Sequence, residues 1–257
     1  MTKINPNEAV AAHHKLVEEH YPDYTVILTS LVGSQNYGLD TENSDIDTCS
    51  FVLPSFENFI YGKAPVSAEF DCDDGKCTVK DLRIAFNLLR KPSPNSVEWF
   101  LSDYKYFNPN YENFLYDIFS NEKAVYVLTH ANFKNMIDAV GGTAKGLHGR
   151  NMSSGKKVSH VIRLQHFIKK YLTTQEVFNY LRLTGFYKDA ALYAKTTTNN
   201  WEDIYQLFLN ELIDYLKMWD TYNGFTKTEK ICQDFINKVE LKLFEIYLRE
   251  NGYERKN

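Results

Sequence analysis

Two aspartates separated by a single residue carry the clearest chemical meaning in this sequence. Asp45 and Asp47 begin a run that continues into apolar residues, so we expect them on a β-strand with both carboxylates on one face and Ile46 in the core. Two like charges this close repel each other unless a cation neutralises them. Mg²⁺ is the hard cation that carboxylates usually hold together with phosphate oxygens, and Mn²⁺ is its possible substitute. The pair therefore predicts a metal site.

A turn of small residues lies ten residues before this pair. Gly33-Ser34 follows the apolar, β-branched run Tyr24–Leu31, which predicts a central strand. A glycine turn allows backbone N–H groups to approach a phosphate closely. The stretch from Leu31 to Val52 thus predicts strand, turn, loop and strand, and its chemistry is typical of metal-dependent phosphoryl or nucleotidyl transfer.

This combination resembles the signature of the DNA polymerase β-like nucleotidyltransferase superfamily. The fuller string GSQNYGLDTENSDID is similar to a branch of predicted bacterial and phage nucleotidyltransferases, in which Tyr37 belongs to the motif. A second patch, Asp81-Leu82-Arg83 followed by Pro94-Asn95 and Glu98, also resembles that branch. We assign Glu98 no chemistry and expect it to bond backbone near the site.

The resemblance implies a reaction that moves an NMP from a nucleoside triphosphate to a hydroxyl acceptor and releases pyrophosphate. Two Mg²⁺ ions would be held by Asp45, Asp47 and a third carboxylate. Gly33 and Ser34 would cradle the phosphates, and Tyr37 would belong to the nucleotide site. ATP is one candidate donor. The acceptor stays open between an RNA 3′ end, a protein side chain and a small molecule.

The third carboxylate has three candidates. Our preferred candidate is Asp81, which ends the second strand of a hairpin predicted around Asp73-Asp74-Gly75. Asp81 also stands where a residue would cap the following helix, and that is its alternative role. Glu69 and Asp71, on the first strand of the hairpin, are the other two candidates.

A basic segment lies in the second half of the chain. No aspartate or glutamate occurs between Asp138 and Glu176. Within this gap Lys156, His160 and Arg163 follow a helical spacing that places them on one face, where they could hold a triphosphate. The string Gly155-Lys156-x-x-x-His160-x-x-Arg163-Leu164 also resembles the helical part of the same branch. The competing interpretation is a solvated basic face.

Bulk properties exclude little. The net charge of −4 and the pI of about 6.0 do not by themselves predict a nucleic-acid partner.

The four cysteines form no CxxC pair and have no obvious histidine partners, and we expect reduced thiols in a cytoplasmic protein. His13 and His14 are adjacent, so we expect ordinary helix residues and not a ligand pair. The polar N-terminus predicts no signal peptide, and no apolar run approaches a membrane span.

The predicted fold class is α+β. We expect a small mixed-sheet nucleotidyltransferase core over residues 1–125 and a helical domain over 126–257 that completes the nucleotide site. The later helices are expected at about 130–147, 154–171, 174–184, 200–220 and 227–250. The alternative function is a catalytically silent nucleotide-binding module or an antitoxin-type partner-binding module.

Overall fold

A five-stranded mixed sheet and the helices around it form the fold in the computed structural model, which describes residues 5–42, 44–220 and 226–253. The α+β prediction is confirmed. The strands are β1 (Tyr24–Val32), β2 (Asp47–Pro54), β3 (Ser67–Cys72), β4 (Gly75–Asp81) and β5 (Lys105–Phe107). The helices before β5 are α1 (Pro6–His20), α2 (Ser34–Tyr37), α3 (Phe56–Ile60), α4 (Leu82–Arg90) and α5 (Pro94–Leu101). The later helices are α6 (Glu112–Phe119), α7 (Glu122–Thr129), α8 (Phe133–Gly146), α9 (Ser154–Thr173), α10 (Gly185–Thr196), α11 (Glu202–Asp220) and α12 (Thr226–Glu250), with a 3₁₀ turn at Val177–Asn179.

The sheet register decides which side chains share a face. The strand order is β3-β4-β2-β1-β5, with β2 antiparallel to β1 and parallel to β4. Asp47 lies beside Val32, the last residue of β1, so the start of β2 is next to the Gly33-Ser34 turn. Cys49 lies beside Thr78 on β4, and Thr78 lies beside Glu69 on β3. Because paired residues point to the same side, one face of the sheet carries these positions together with Asp47.

Helix α1 covers part of the opposite face. Asn5 accepts a hydrogen bond from the backbone N–H of Asn7 and caps the helix, and Pro6 occupies its first position. A small apolar cluster includes Val17 of α1 and buried residues of three strands, namely Val26, Val52, Cys77 and Val79. The helix thereby fixes the back of the sheet behind the predicted acidic pair.

The main core runs through both halves of the chain. A single buried cluster extends from Ile27 on β1 to Tyr247 on α12, whose hydroxyl donates to the carbonyl of Pro54 at 2.5 Å. The boundary predicted at 125/126 lies inside α7. No helix in the described ranges is long and apolar enough to cross a membrane.

The prediction of an α-helix over 174–184 is wrong. Only a 3₁₀ turn forms there, and the regular helix α10 begins at Gly185 instead. Val177, Tyr180 and Leu181 are buried at a helical spacing, which explains the error. The backbone N–H of Leu183 donates to the carbonyl of Tyr37 at 3.1 Å, so a tertiary hydrogen bond replaces a helical one. Helices α6 and α7 occupy a segment for which no element was predicted.

Candidate active site

A cleft of about 710 Å³ separates the sheet from helix α9. The sheet side carries the predicted acidic pair, and the helix side carries the predicted basic face. The charged and polar residues in its lining are Ser34, Thr41, Ser44, Asp45, Asp47, Glu69, Thr78, Lys80, Asn95, Glu98, Thr143, Arg150, Lys156, Ser159, His160, Arg163 and Lys195. The structure thus brings all predicted site residues except Asp81 to this cleft.

The acidic wall forms where β2 begins. The strand starts at Asp47, so Asp45 precedes it in place of lying on it. Gln35 donates to the carbonyl of Asp45 at 2.7 Å, and the N–H of Ile46 donates to the carbonyl of Asp74 at 2.8 Å. These bonds hold the segment between the signature turn and the β3–β4 hairpin. A side chain at Gly75 would collide with the carbonyl of Ile46, so this close approach requires glycine.

The charged form of Asp47 is disfavoured at its position in this wall. Burial raises the pKa of Asp47, and the neighbouring charge of Asp45 raises it further, whereas a hydrogen bond and the charge of Lys76 oppose the shift. A divalent cation between the two carboxylates would remove this repulsion. Asp45 is exposed and Asp47 is half-buried, so both remain accessible from the cleft. The donor set therefore fits a hard, oxygen-preferring cation.

Asp81 does not belong to this wall. It pairs with Val52, five residues beyond Asp47 along the parallel strand and therefore about 16 Å away. Odd spacing also places it on the opposite face of the sheet. Its carboxylate is fully buried, accepts from the backbone N–H of Arg83 at 2.9 Å and forms an ion pair with that guanidinium at 2.7 Å. The preferred third ligand was wrong, because Asp81 caps α4.

Glu69 and Asp71 lie on the correct face. Glu69 lines the cleft and forms an ion pair with Lys76 at 2.7 Å, whereas Asp71 is largely exposed and lies 3.8 Å from the same ammonium. Strand β4 lies between these acids and β2, and it presents Lys76, Thr78 and Lys80 to this side. None of the three can supply a carboxylate. Of the three candidates, Glu69 is consequently the one that lines the cleft.

A buried carboxylate holds the signature turn. Glu98 on α5 accepts from the N–H of Gly33 at 2.6 Å, from the side-chain amide of Asn36 at 3.1 Å and from the hydroxyl of Tyr37. Gly33 has a φ of 92°, a conformation that favours glycine. The expected contact between Glu98 and nearby backbone is therefore present. The role predicted for Gly33 therefore changes. Its N–H was expected to cradle phosphate, but it donates to Glu98 instead.

Arg163 connects this network to the other wall. Its guanidinium lies 4.1 Å from the centre of the Tyr37 ring, a cation–π contact. Burial raises the pKa of Glu98, and the positive charge of Arg163 opposes that shift. Arg163 Nε is buried with no hydrogen-bond partner among the described residues. Arg163, which was predicted to bind the triphosphate, thus also stabilises the charged form of Glu98, the residue that holds the Gly33-Ser34 turn.

The basic wall lies along one face of α9. Ser153 caps this helix by accepting from the N–H of Lys156 at 3.3 Å. Burial lowers the pKa of His160 to about 3, and the charges of Arg163 and Lys156 add to the effect, so the imidazole is neutral at physiological pH. The neighbouring Lys157 points elsewhere, to the His148 carbonyl at 3.3 Å. The wall therefore offers two cations and one neutral hydrogen-bonding group at the predicted positions.

Two further cations on the helical side of the cleft were not among the predicted site residues. Lys195 on α10 lines the cleft and donates to the carbonyl of Leu39 at 2.6 Å, across 156 residues of chain. Burial and the charge of Lys156 lower the pKa of Lys195. Arg150, in the loop before α9, is exposed and also lines the cleft. Arg150 could have been found as part of the acid-free segment, but no local pattern indicates Lys195.

Comparison with known families agrees with this geometry. Residues 7–179 match the model of RlaP, described as an RNA repair pathway DNA polymerase beta family. This range contains the signature turn, both aspartates and all of helix α9. A search of the curated proteins finds no match. The match covers most of the chain, and the protein therefore belongs to the RlaP family of DNA polymerase β-like nucleotidyltransferases.

Proposed function

We propose that this protein transfers an NMP from a nucleoside triphosphate to a hydroxyl group and releases pyrophosphate. One observation carries the proposal, namely the two walls of opposite charge that face each other across a cleft with room for a nucleotide. Asp45 and Asp47 would hold the metal ions on one side, and the basic wall would hold the phosphates on the other. Family membership supports nucleotidyl transfer in general.

The metal requirement is argued from the donor set. Asp45 and Asp47 offer carboxylate oxygens within one short segment, which suits Mg²⁺ or Mn²⁺. When bound, two such ions would supply charge neutralisation to the triphosphate and the leaving pyrophosphate. In place of Asp81 we propose Glu69 as the third acid, which requires it to exchange its contact with Lys76 for the metal site.

The other residues position the substrate. Lys156 would bind phosphate oxygens as a point charge, and Arg163 as a planar donor. His160, held neutral, would act as a hydrogen-bond donor or acceptor. The hydroxyl of Ser34 faces the same cleft, and Glu98 keeps the turn that carries it in place. These contributions are positioning and electrostatic stabilisation.

The acceptor is proposed from the family description. Because the family is described as part of an RNA repair pathway, an RNA 3′ end is the first acceptor to test. Protein side chains and small molecules are the other candidates. Positive side chains at Arg150 and Lys195 widen the basic wall, which suits a polyanionic acceptor as well as the triphosphate.

The experiment combines binding with transfer. We would titrate ATP, GTP, CTP and UTP, each with and without Mg²⁺, into the wild type and the Asp45→Asn/Asp47→Asn double variant. The same proteins would be incubated with α-labelled triphosphate and RNA ending in a 3′ hydroxyl. Mg²⁺-dependent binding and label transfer should both disappear in the double variant. Asp71→Asn is the matched control, since Asp71 is an exposed acid outside the cleft lining.

A second function is favoured by one specific observation. Asp81 is excluded from the site and β4 presents Lys76, Thr78 and Lys80 to this face, so the acid set is complete only if Glu69 leaves Lys76. We therefore also propose a nucleotide-binding or antitoxin-type partner-binding module without transfer activity. Triphosphate binding with no label transfer to RNA, protein or small hydroxyl compounds would support this second function and contradict the first.

A further inference from the structure

A second cluster of metal-binding side chains lies behind the acidic wall, on the α1 face of the sheet. Its members are His13 of α1, Cys72 of β3 and Cys77 of β4, and their ligand atoms all lie within 4.8 Å of one another. The two Sγ atoms are 3.2 Å apart across the hairpin. His13 and Cys77 are buried and Cys72 is partly exposed, so a small ion has a route to the site. The sequence had indicated no histidine partner for these cysteines.

The imidazole of His13 is fixed in place from both sides. Its Nδ1 atom lies 2.9 Å from the Thr48 hydroxyl, and its Nε2 atom lies 2.7 Å from Asp74 Oδ1. A metal-binding histidine normally has its other ring nitrogen held by such a partner, which sets the tautomer and the ring orientation. Thr48 also lies 3.6 Å from Cys77 Sγ, so one hydroxyl touches two members of the cluster.

We propose that His13, Cys72 and Cys77 form a binding site for Zn²⁺ or a cation of the same class. Thiolate and imidazole are the donors that Zn²⁺ prefers, whereas Mg²⁺ selects oxygen donors such as those of Asp45 and Asp47. Asp74 holds Nε2 of His13, so Nδ1, on the side of Thr48 and Cys77, would bind the metal in exchange for the Thr48 hydroxyl. Structural zinc takes four ligands, and water would fill the fourth position. Binding replaces the protons of both thiols with the metal.

The position of the cluster gives the site a structural role. Cys77 pairs with Thr48, the residue after Asp47, and the N–H of Ile46 bonds to the Asp74 carbonyl in the hairpin turn. A metal here would join α1, β2 and the β3–β4 hairpin directly behind the acidic pair. The inference concerns the architecture around the acidic wall, and its test does not depend on nucleotidyl transfer.

Zinc binding itself provides the main experiment. The full chain would be stripped with a chelator under reducing conditions and titrated with Zn²⁺ against a competing indicator in excess Mg²⁺. We expect one Zn²⁺ per chain in the wild type. Because even a residue that only orients a ligand contributes 10- to 100-fold to affinity, Cys72→Ser and Cys77→Ser should each weaken binding by at least about 100-fold. Cys232→Ser, at a buried thiol on α12, is the matched control and should bind normally.

Histidine variants and cobalt substitution give independent evidence. His13→Gln should lose zinc affinity, whereas His14→Gln, at an adjacent and equally buried histidine that bonds Thr29 at 2.9 Å, should retain it. Co²⁺ in the wild type should show a thiolate-to-metal charge-transfer band that Cys72→Ser weakens. Zn²⁺ should also raise the Tm of the wild type but not that of Cys72→Ser.

Several results would overturn the inference. Absence of stoichiometric Zn²⁺ binding to the reduced chain would do so, as would unchanged affinity in the two cysteine variants. Loss of zinc in Asp45→Asn/Asp47→Asn, with cysteine variants unaffected, would assign the ion to the acidic wall. A Cys72–Cys77 disulfide that persists under the reducing conditions of the titration would show that the pair is a crosslink.

Discussion

The two walls of the cleft are built on different elements, yet each contains a group whose pKa is shifted towards its neutral form. On the strand side, burial and Asp45 raise the pKa of Asp47. On the helix side, burial and like charges lower the pKa values of His160 and Lys195. On each wall, burial and neighbouring like charges therefore disfavour the charged form of these groups. A metal ion on the strand side and a polyphosphate on the helix side would each oppose these pKa shifts.

The walls differ in how they are anchored. The acidic wall depends on backbone hydrogen bonds to the turn and the hairpin, whereas the basic wall depends on the face of α9. Glu98 is the link between them, because it holds the Gly33 turn and interacts electrostatically with Arg163. This difference predicts three kinds of effect. Substitutions on the acidic wall should stop chemistry, substitution of Glu98 should affect both chemistry and stability, and substitutions on the basic wall should affect substrate binding.

The largest effect is expected for Asp47→Asn. Removal of a metal-binding carboxylate should cost several kcal/mol of transition-state stabilisation and reduce kcat/KM by at least about 1,000-fold. The fold should remain intact, since the pKa of Asp47 is raised and its charge does not stabilise the free protein. Label transfer and thermal unfolding would be measured together. Wild-type transfer by this variant would remove the acidic wall from the mechanism.

Glu98→Gln should affect both activity and stability. Glu98 accepts from Gly33, Asn36 and Tyr37, whereas the amide of Gln offers one acceptor oxygen and an NH₂ group in place of the other. A buried donor left without a partner costs about 1–3 kcal/mol, so the midpoint of urea unfolding should fall. Unchanged stability would show that the two walls are not coupled through this carboxylate.

Lys156→Ala should mainly weaken substrate binding. Loss of one charge-assisted contact to phosphate, worth about 1.5–3 kcal/mol, should raise the KM for the triphosphate by roughly 10- to 100-fold with a smaller change in kcat. The matched control is Lys157→Ala, because Lys157 contacts the His148 carbonyl and the Tyr205 ring and is absent from the cleft lining. Equal effects of the two variants would support a merely solvated basic face.

The smallest effect concerns pH. The pKa of His160 is lowered to about 3 in the folded protein, so between that value and about 6.5 the unfolded chain binds more protons. Stability should therefore fall as the pH decreases below about 6.5. Replacing His160 with Gln should remove about 1–2 kcal/mol of the loss between pH 7 and pH 5. Urea unfolding at both pH values tests this, and an unchanged pH dependence in the variant would contradict it.

The sequence predicted the parts of the site that local spacing controls. The Gly33-Ser34 turn, the aspartates at i and i+2 and the helical spacing of Lys156, His160 and Arg163 each lie within a short segment, and the structure brings all of them to one cleft. The α+β fold and the nucleotidyltransferase family also followed from these segments. The metal ligands and the nucleotide contacts stay predictions.

Other features were decided only by tertiary structure. Asp81 looked suitable because it ends the second strand of the predicted hairpin, but the parallel register with β2 places it on the wrong face, beside Val52. The segment 174–184 has apolar residues at a helical spacing, but they are buried by tertiary packing without forming an α-helix. The backbone N–H of Leu183 donates to the Tyr37 carbonyl instead.

The sequence by itself determined the chemistry-bearing motifs, because turn type, strand alternation and helical period act between residues close together in the chain. The tertiary structure decided which third acid faces the cleft, that Lys195 reaches Leu39, and that His13 meets Cys72 and Cys77. These outcomes depend on strand register and on the packing of α1 and α10 against distant segments. No local pattern encodes such contacts, because their partners are brought together only when the sheet and helices assemble.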